Sequence, residues 1–341
     1  MRAPAPTLAL TVATLLILAA SPAAAQSGPP FVVKETGRGY GTLADAVAAI
    51  GEGQGTIVIA PGRYGDCAVQ QAGRVAFVAQ VPGTVTFDGG VCEGKATLVL
   101  RGRGARVDGV RFTHTSVPDG NGAGIRLEQS DLAVSRTEFV DAQGGILSAD
   151  DPSASITVDR STFSGLGKDP TGHGAHSIYI GKYGSLTVTN SRFERGTGGH
   201  YLKCRAPRIT VLDSSFDDSH GRDTNYMIDL SNGGTGRIAG NAFVNGVGKE
   251  NYSVMIAVAA EGRVNSSEGL TIEGNRAWLA PGFPWTTAFV GNWSGDTLIE
   301  RDNTLGKGVT AMKRLSSAAP VSLIRHALAS LRNKAIAWLQ A

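Results

Sequence analysis

The stretch Ile209-Thr-Val-Leu-Asp-Ser-Ser-Phe216 recurs along the chain and decides the fold. Each copy alternates apolar and polar residues, which is the pattern of a β-strand with one buried face. The phenylalanines that end the copies lie 23 to 30 residues apart, and a period in that range predicts a stacked array of repeats. The other copies end at Phe112, Phe139, Phe163, Phe193 and Phe243, and weaker copies begin at Leu270 and Thr297.

A second short strand precedes each copy and favours the same architecture. The segments are Ile125–Leu127, Ile146–Ser148, Ile178–Ile180, Leu202–Cys204 and Ile228–Leu230. Because side chains alternate across a strand, the first and third residues of each segment form two inward, mostly apolar columns. No segment of helical periodicity separates the copies. The sequence therefore predicts an all-β solenoid, a parallel β-helix in which each coil pairs with the next.

The first 25 residues have the three parts of a secretory signal peptide. Arg2 supplies a positive charge, Leu8–Ala20 an apolar core and Ala23–Ala25 a small-residue cleavage site. A membrane anchor is the alternative, but the apolar run is short for a bilayer span. We therefore expect residues 1–25 to be removed and the mature protein to be periplasmic or extracellular.

The three cysteines agree with an oxidising compartment. Cys67 and Cys92 lie 25 residues apart, close to one coil, so they can stack on adjacent coils and pair. Cys204 belongs to an inward column, where a small core residue is expected rather than a reactive thiol.

The region after the signal peptide predicts how the first coil is closed. Thr42–Ile50 has helical spacing, and Gly55–Tyr64 (GTIVIAPGRY) follows as a strand. An amphipathic helix here would cover the open strand edge of the first coil. The helix, this strand and the coils that end in ITVxxSxF resemble secreted bacterial proteins of the pectin-lyase-like superfamily, over roughly residues 38–306. The resemblance implies a single-stranded right-handed parallel β-helix, which we assign to residues 26–306.

Residues 307–341 hold six Lys or Arg and no Asp or Glu. Without these six and Arg2, the formal charge of +3 becomes −4, so the body of the mature protein is acidic. From Pro320 the tail has helical spacing and one apolar face, made of Ile324, Leu328, Leu331, Ala335 and Trp338. We expect a basic amphipathic helix that contacts the last coil, a membrane surface or a partner. No nucleic-acid partner is expected for a secreted protein with an acidic body.

A patch of chemically able side chains is predicted on the outer face of three consecutive coils. Equivalent residues on stacked coils are about 4.8 Å apart, so the middle residues of the second strands form a column. The column reads Arg126, Leu147, Tyr179, Lys203 and Asp229, and the strand entrances add His176, His200 and Tyr226. Strict alternation would turn these entrance residues inward, so the prediction requires the preceding turn to break the alternation. Arg205, from the next outward column, belongs to the same patch, and Asn232 and Arg222 are expected at its border.

Cations at the centre of a long groove suit an anionic polymer such as an acidic polysaccharide. β-Elimination at a uronic acid needs three things: neutralisation of the C6 carboxylate, removal of the C5 proton and protonation of the leaving oxygen. Lys203 and Arg205 would neutralise the carboxylate, because Arg offers two parallel donors. Nearby cations favour the neutral form of His200, which is the expected base, with Tyr179 or Tyr226 as the acid. A tyrosine base is a close alternative.

Each of these residues also has a purely structural interpretation. Lys203 is a poor base because Asp229 would raise its pKa, and the two can form an exposed salt bridge of little energetic value. Histidine and tyrosine ladders also occur in β-helices as simple stacking. We interpret Asp229, Asn232 and Arg222 as substrate-binding residues.

Other functions fit the same pattern. Proton abstraction without bond cleavage would make the protein a uronate epimerase. The triplet Gly172-His173-Gly174 resembles that of polygalacturonase-type hydrolases, with Asp150 and Asp151 about one coil earlier, but Arg208-Ile-Thr replaces Arg-Ile-Lys of that family. A non-catalytic polysaccharide-binding or surface-assembly solenoid is the alternative from another class.

No cofactor is expected, with one reservation. Some lyases of this fold bind calcium through carboxylates, and Asp217 and Asp218 are candidate ligands. The spacing of a zinc site is absent.

Overall fold

The computed structural model describes residues 28–167, 169, 171–172 and 174–316, which form three long sheets along a solenoid. The first sheet contains β2 (Arg38–Tyr40), β1 (Phe31–Val33), β3 (Gln54–Ile59), β6 (Arg74–Ala79), β9 (Gly104–Asp108), β12 (Leu132–Ser135), β15 (Ser155–Asp159), β18 (Ser185–Thr189), β21 (Arg208–Leu212), β24 (Thr235–Ala239), β27 (Thr271–Glu273) and β30 (Ile299–Arg301). The second contains β4 (Gly62–Tyr64), β7 (Val85–Asp88), β10 (Val110–Thr113), β13 (Glu138–Val140), β16 (Thr162–Ser164), β19 (Arg192–Glu194), β22 (Ser215–Asp217), β25 (Ala242–Asn245), β28 (Arg276–Leu279) and β31 (Thr304–Leu305). The third contains β5 (Ala68–Gln70), β8 (Ala96–Leu100), β11 (Ala123–Leu127), β14 (Gly144–Ser148), β17 (Ile178–Ile180), β20 (Leu202–Cys204), β23 (Ile228–Leu230), β26 (Val254–Val258), β29 (Thr287–Asn292) and β32 (Val309–Arg314).

Each coil supplies one strand to each sheet in turn, and from β3 onward each strand pairs in parallel with its equivalent in the next coil. This arrangement confirms the parallel β-helix, while the hand of the coil stays a prediction. The third sheet continues past residue 306, because β32 pairs with β29 and extends the solenoid into the first part of the predicted tail. The signal peptide, the tail helix and His173 lie outside the described residues.

The repeated phenylalanines form a continuous ladder inside the solenoid. Phe112, Phe139 and Phe163 pair in register in the second sheet, and the pairing continues to Phe243. Neighbouring rings from Phe139 to Phe243 stack with centroids 4.6–5.0 Å apart. In the weaker copy that begins at Leu270 the equivalent position is Ala277, and the ring of Phe289 packs edge-on against Phe243 instead. The spacing of the repeat therefore reflects a buried stack of aromatic rings, and stacking stabilises such ring pairs beyond the burial of their surface.

One helix occurs among the described residues, α1 at Leu43–Ile50. Thr42 caps its N-terminus by accepting a hydrogen bond from the Asp45 amide, and Leu43, Ala46 and Val47 are buried in the main core. The helix predicted near residues 42–50 is therefore present, whereas its role as a cover for the first coil stays a prediction. Over the described residues, α1 included, we find no helix with the length and apolarity needed to span a bilayer.

Cys67 and Cys92 form a disulfide bond, as the one-coil spacing suggested, and Cys204 is a buried free thiol. The double variant Cys67→Ser/Cys92→Ser should lower the free energy of unfolding by about 3 kcal/mol, because the bond closes a loop of 25 residues in the unfolded chain. Urea unfolding of both proteins measures the difference. A reducing agent should bring the wild type to the midpoint of the variant, and equal midpoints under oxidising conditions would contradict the prediction.

Candidate active site

The predicted outer column exists and is in register. In the third sheet Tyr179 pairs with Lys203, and Lys203 pairs with Asp229. Leu147 precedes Tyr179 in this column, and Ala257 follows Asp229. Because parallel pairing sets equivalent residues side by side, the three polar side chains come from coils about 4.8 Å apart. This polar segment of the column is bounded on both sides by apolar residues.

The strand entrances break the alternation, as the prediction required. Tyr201 and Leu202 are consecutive, and both are buried in the main core. Two successive inward residues leave the preceding residue, His200, on the outer face, where its side chain is 12% exposed. The next coil repeats this arrangement, and Tyr226 accordingly packs in a small apolar cluster on the outside of the third sheet.

His176, His200 and Tyr226 form a row of rings along the outer face. The ring centroids are 5.0 Å apart for the two histidines and 5.5 Å apart for His200 and Tyr226. Tyr179 stands edge-on to His176 at 5.4 Å. Trp293, which the sequence analysis did not single out, continues the row at 6.3 Å from Tyr226. His176, His200, Tyr226 and Trp293 therefore form a row of rings beside the polar column, and Tyr179 of the column contacts the first of them.

The hydrogen bonds indicate the tautomers of the two histidines. The backbone amide of His200 donates to Nδ1 of His176 at 3.0 Å, so that nitrogen carries no proton. Nδ1 of His200 lies 3.3 Å from the same nitrogen, and we assign the proton of the neutral ring to Nδ1 on this contact. Nε2 of His200 is then the nitrogen with a free electron pair, 3.6 Å from Oδ2 of Asp229. His200 therefore presents a proton acceptor to the polar column.

Burial lowers the pKa of His200 well below its usual value, and the positive charges of Lys203, Lys249 and Arg205 lower it further. Burial also lowers the pKa of His176, with His200 and Lys203 as further causes. The lowered pKa of His200 agrees with the neutral base expected from the sequence. Both rings are neutral at physiological pH.

Lys203 lies at the centre of a nearly buried ionic network. Its Nζ donates to Oδ2 of Asp229 at 2.8 Å and to Oε1 of Glu261, and its side chain is 7% exposed. Asp229 is 1% exposed and also accepts a hydrogen bond from Ser231 at 2.7 Å. Burial disfavours the ammonium form, but the two carboxylates outweigh burial and raise the pKa of Lys203. Lys203 is therefore held as a cation, which agrees with the sequence-based view that it is a poor base.

Arg205 is fixed by three different partners. Its Nε donates to the hydroxyl oxygen of Tyr179 at 3.0 Å, Nη1 to Asn232 at 2.7 Å and Nη2 to Glu261 at 2.5 Å. Its guanidinium carbon also lies 5.7 Å from the centre of the Tyr179 ring. Asn232 thus lies beside Arg205 at the edge of the outer column, and its role in substrate binding stays a prediction. The Tyr179 oxygen is an acceptor, so its own proton can be donated to another group.

Glu261 was missed by sequence reasoning, although it contacts both cations. It lies in the loop after β26, and its amide donates to the Ser231 carbonyl one coil earlier at 2.9 Å. Lys203 lowers the pKa of Glu261 against the opposing effect of burial, so the group stays ionised. The sequence does contain a hint of this position. Glu261 soon follows β26, and β26 pairs with β23, the strand that carries Asp229. Because Glu261 lies in a loop, no strand register predicts which residue its side chain would contact.

Arg222 does not join this network in the described contacts. It lies in the turn between the second and third sheets and lines a different groove of about 550 Å³, together with His114, Asp141, Gln143 and Asp169. The assignment of Arg222 as a substrate-binding residue at the border of the patch therefore stays a prediction. Arg222 belongs to the long loop before β23, and repeat spacing does not determine the path of such a loop.

Asp218 is unsuited to the calcium role considered for it. Its carboxylate is fully buried and accepts hydrogen bonds from the Tyr201 hydroxyl at 2.7 Å, the Thr224 hydroxyl at 2.9 Å and Nζ of Lys249 at 3.1 Å. The neighbouring Asp217 accepts from the amide and hydroxyl of Ser219. A calcium ion at Asp218 would have to displace a buried ammonium group. Among the described residues, no group of three or more His, Cys, Asp or Glu is arranged to hold a metal ion.

Asp150 and Asp151, the candidate hydrolase pair, follow β14 in a turn. Asp151 accepts hydrogen bonds from Ser130 and Ser153, and Asp150 accepts from the amide of Lys182. These bonds hold a loop together and do not place the two carboxylates in the outer column.

No family model matches the chain, and neither does any curated protein. Similar solved structures include the PL6 family alginate lyase AlyGC, with a TM-score of 0.44, 17% identity and coverage of 75% of this chain but only 40% of that one. They also include YbhC from Escherichia coli (TM-score 0.48, 15% identity, 78% and 89% coverage) and a pectin methylesterase from Aspergillus niger (0.47, 12%, 83% and 92%). At such identities and TM-scores these likenesses carry no argument about activity, which has to be argued from the residues of the site.

Proposed function

We propose that this protein is a carbohydrate-active enzyme that cleaves an acidic, uronate-containing polysaccharide by β-elimination, in the periplasm or outside the cell. The location is supported by the predicted signal peptide at residues 1–25. The observation that carries the reaction is a neutral histidine, His200, held beside two fixed cations, Lys203 and Arg205, on the outer face of a solenoid. An open face of stacked coils suits a polymer that lies along several coils.

The roles follow from the state of each group. Lys203 and Arg205 stabilise the negative charge that develops on the C6 carboxylate when the C5 proton leaves. Nε2 of His200 takes that proton, the electron pair forms the C4–C5 double bond, and the C4–O bond breaks. Tyr179 donates a proton to the leaving oxygen, because its own oxygen already accepts from Arg205. Tyr226, stacked on His200, is the alternative acid.

A glycoside hydrolase is the second candidate, because Asp229 and Glu261 contact the same ammonium group and so form a close pair of carboxylates. Such an enzyme needs one carboxyl group in its protonated form as general acid. The lowered pKa of Glu261 opposes this role, and Lys203 lies between the two groups. The site therefore supports elimination better than hydrolysis.

The proposal is tested by incubating the mature protein with a panel of uronate polymers. A lyase produces unsaturated sugar ends that absorb ultraviolet light. A hydrolase produces reducing ends without this absorbance, and an epimerase changes the sugar NMR signals without shortening the chain. Retention on an affinity gel without any of these changes would show a binding module and would refute the proposed reaction.

The pH dependence of kcat/KM offers a further check. Because the pKa of His200 is lowered well below 6.5, the base stays neutral as the pH falls through 6.5 and becomes protonated only at a lower pH. We therefore expect full activity at pH 6.5 and an acid limb well below it. An acid limb centred at or above pH 6.5 would contradict the assignment of His200.

A further inference from the structure

Glu261 contacts both cations of the site at once. Its Oε1 accepts from Nζ of Lys203, and its Oε2 accepts from Nη2 of Arg205 at 2.5 Å. At 39% side-chain exposure it is the most accessible member of the ionic network, in contrast to Lys203 and Asp229. Glu261 therefore covers the two cations from the solvent side.

The two cations are held in place without Glu261. Arg205 is bound by Tyr179 and Asn232, and Lys203 is bound by Asp229. With the Glu261 carboxylate withdrawn, an ammonium and a guanidinium group would converge on one position that fits a planar carboxylate. We infer that Glu261 occupies the subsite of the substrate carboxylate, and that a uronate enters by exchanging with it. This inference rests on the proposed function for the identity of the ligand.

The exchange needs only a rotation of the Glu261 side chain. The loop that carries it is anchored by backbone hydrogen bonds from Glu261 to Ser231 and from Val264 and Asn265 to the Asn232 carbonyl. The loop can therefore keep its position while the exposed carboxylate swings toward solvent. Electrostatic attraction to Lys203 and Arg205 is conserved in the exchange, because one carboxylate replaces another.

A second observation narrows the ligand class. Oδ1 of Asp229 is buried and has no hydrogen-bond partner among the described residues. A buried carboxylate oxygen favours a donor, and a sugar hydroxyl next to the bound carboxylate would supply one if the withdrawal of Glu261 uncovers this oxygen. The subsite therefore suits a hydroxy acid such as a uronic acid, whereas a neutral sugar has no group that can replace Glu261.

The test compares the binding of oligogalacturonate, oligoglucuronate and oligomannuronate by calorimetry, with a neutral malto-oligosaccharide as reference. Removing a competitor that fills the subsite most of the time raises the apparent affinity by the inverse of the free fraction. We expect Glu261→Gln and Glu261→Ala to bind at least one of the uronates about 10-fold more tightly than the wild type, with no gain for the neutral sugar. Glu268→Gln removes the same charge from an exposed position later in the same loop, where the side chain accepts a hydrogen bond from the Thr297 amide and not from the two cations, and should change affinity by less than about twofold.

Two results would overturn the inference: equal or weaker binding of all three uronates by folded Glu261 variants, or no uronate binding by any variant. Turnover separates this inference from the proposed function. Tighter binding without cleavage would keep the subsite and remove the lyase, whereas lyase activity in the wild type without tighter binding in the variants would do the reverse.

Discussion

His200→Ala is expected to reduce the turnover of the uronate polymer by about 10³-fold, within the range that a positioned general base contributes. The loss should fall on kcat more than on KM, because Nε2 of His200 acts on the proton that moves in the transition state and not on the carboxylate that binds. The variant should keep its fold, since the ring lies on the outer face and not in the main core. Steady-state kinetics and thermal unfolding measure the two properties.

His220→Ala is the matched control, because this exposed histidine lies outside the column and should leave kcat unchanged. Retained activity in His200→Ala would move the base elsewhere in the site. Lys203→Ala should also abolish turnover, but it leaves Asp229 buried without its cation, so a loss of folding can imitate a loss of catalysis. His200 is therefore the cleaner residue to test.

Asp218→Ala should lower the free energy of unfolding by about 4 kcal/mol, because it leaves the ammonium group of Lys249 unpaired in the interior. Both side chains of this ion pair are fully buried. Asp217→Ala, next to it but partly exposed, should cost no more than about 1 kcal/mol. Urea unfolding of the two variants measures the difference, and a similar small loss in both would contradict the prediction.

The loss in Asp218→Ala should also depend on pH. Burial lowers the pKa of Lys249 in the folded state, so between that value and 10.5 the unfolded chain binds more protons than the folded one. The stability of the variant should therefore rise with pH in this interval. A stability independent of pH there would mean that Lys249 finds solvent or another partner.

The repeat and its outer column were predictable from the sequence, because parallel pairing makes residues one period apart into neighbours. Tyr179, Lys203 and Asp229 occupy the same place in the repeat, and the sheet aligns them directly. The neutral state of His200 was also predictable from the sequence, because burial and neighbouring cations both lower the pKa of a histidine.

The parts of the site that lie in loops were not predictable in the same way. Glu261 and Arg222 belong to segments whose length changes from coil to coil, so no register relates them to the column. The position of Glu261 depends on backbone bonds to the preceding coil, and Arg222 follows a turn that leads to another groove. The burial of Asp218 depends on a lysine 31 residues away, which local patterns do not indicate.

Because the column is in register, each coil contributes one side chain to it. Each coil contacts only its neighbours, so a whole coil can be gained or lost in evolution while the remaining strands keep their pairing. Loss of the coil that carries Tyr179 would bring Leu147 directly beside Lys203 and would remove one hydrogen-bond partner of Arg205. The set of side chains on the outer face can therefore change in steps of one coil without redesign of the core.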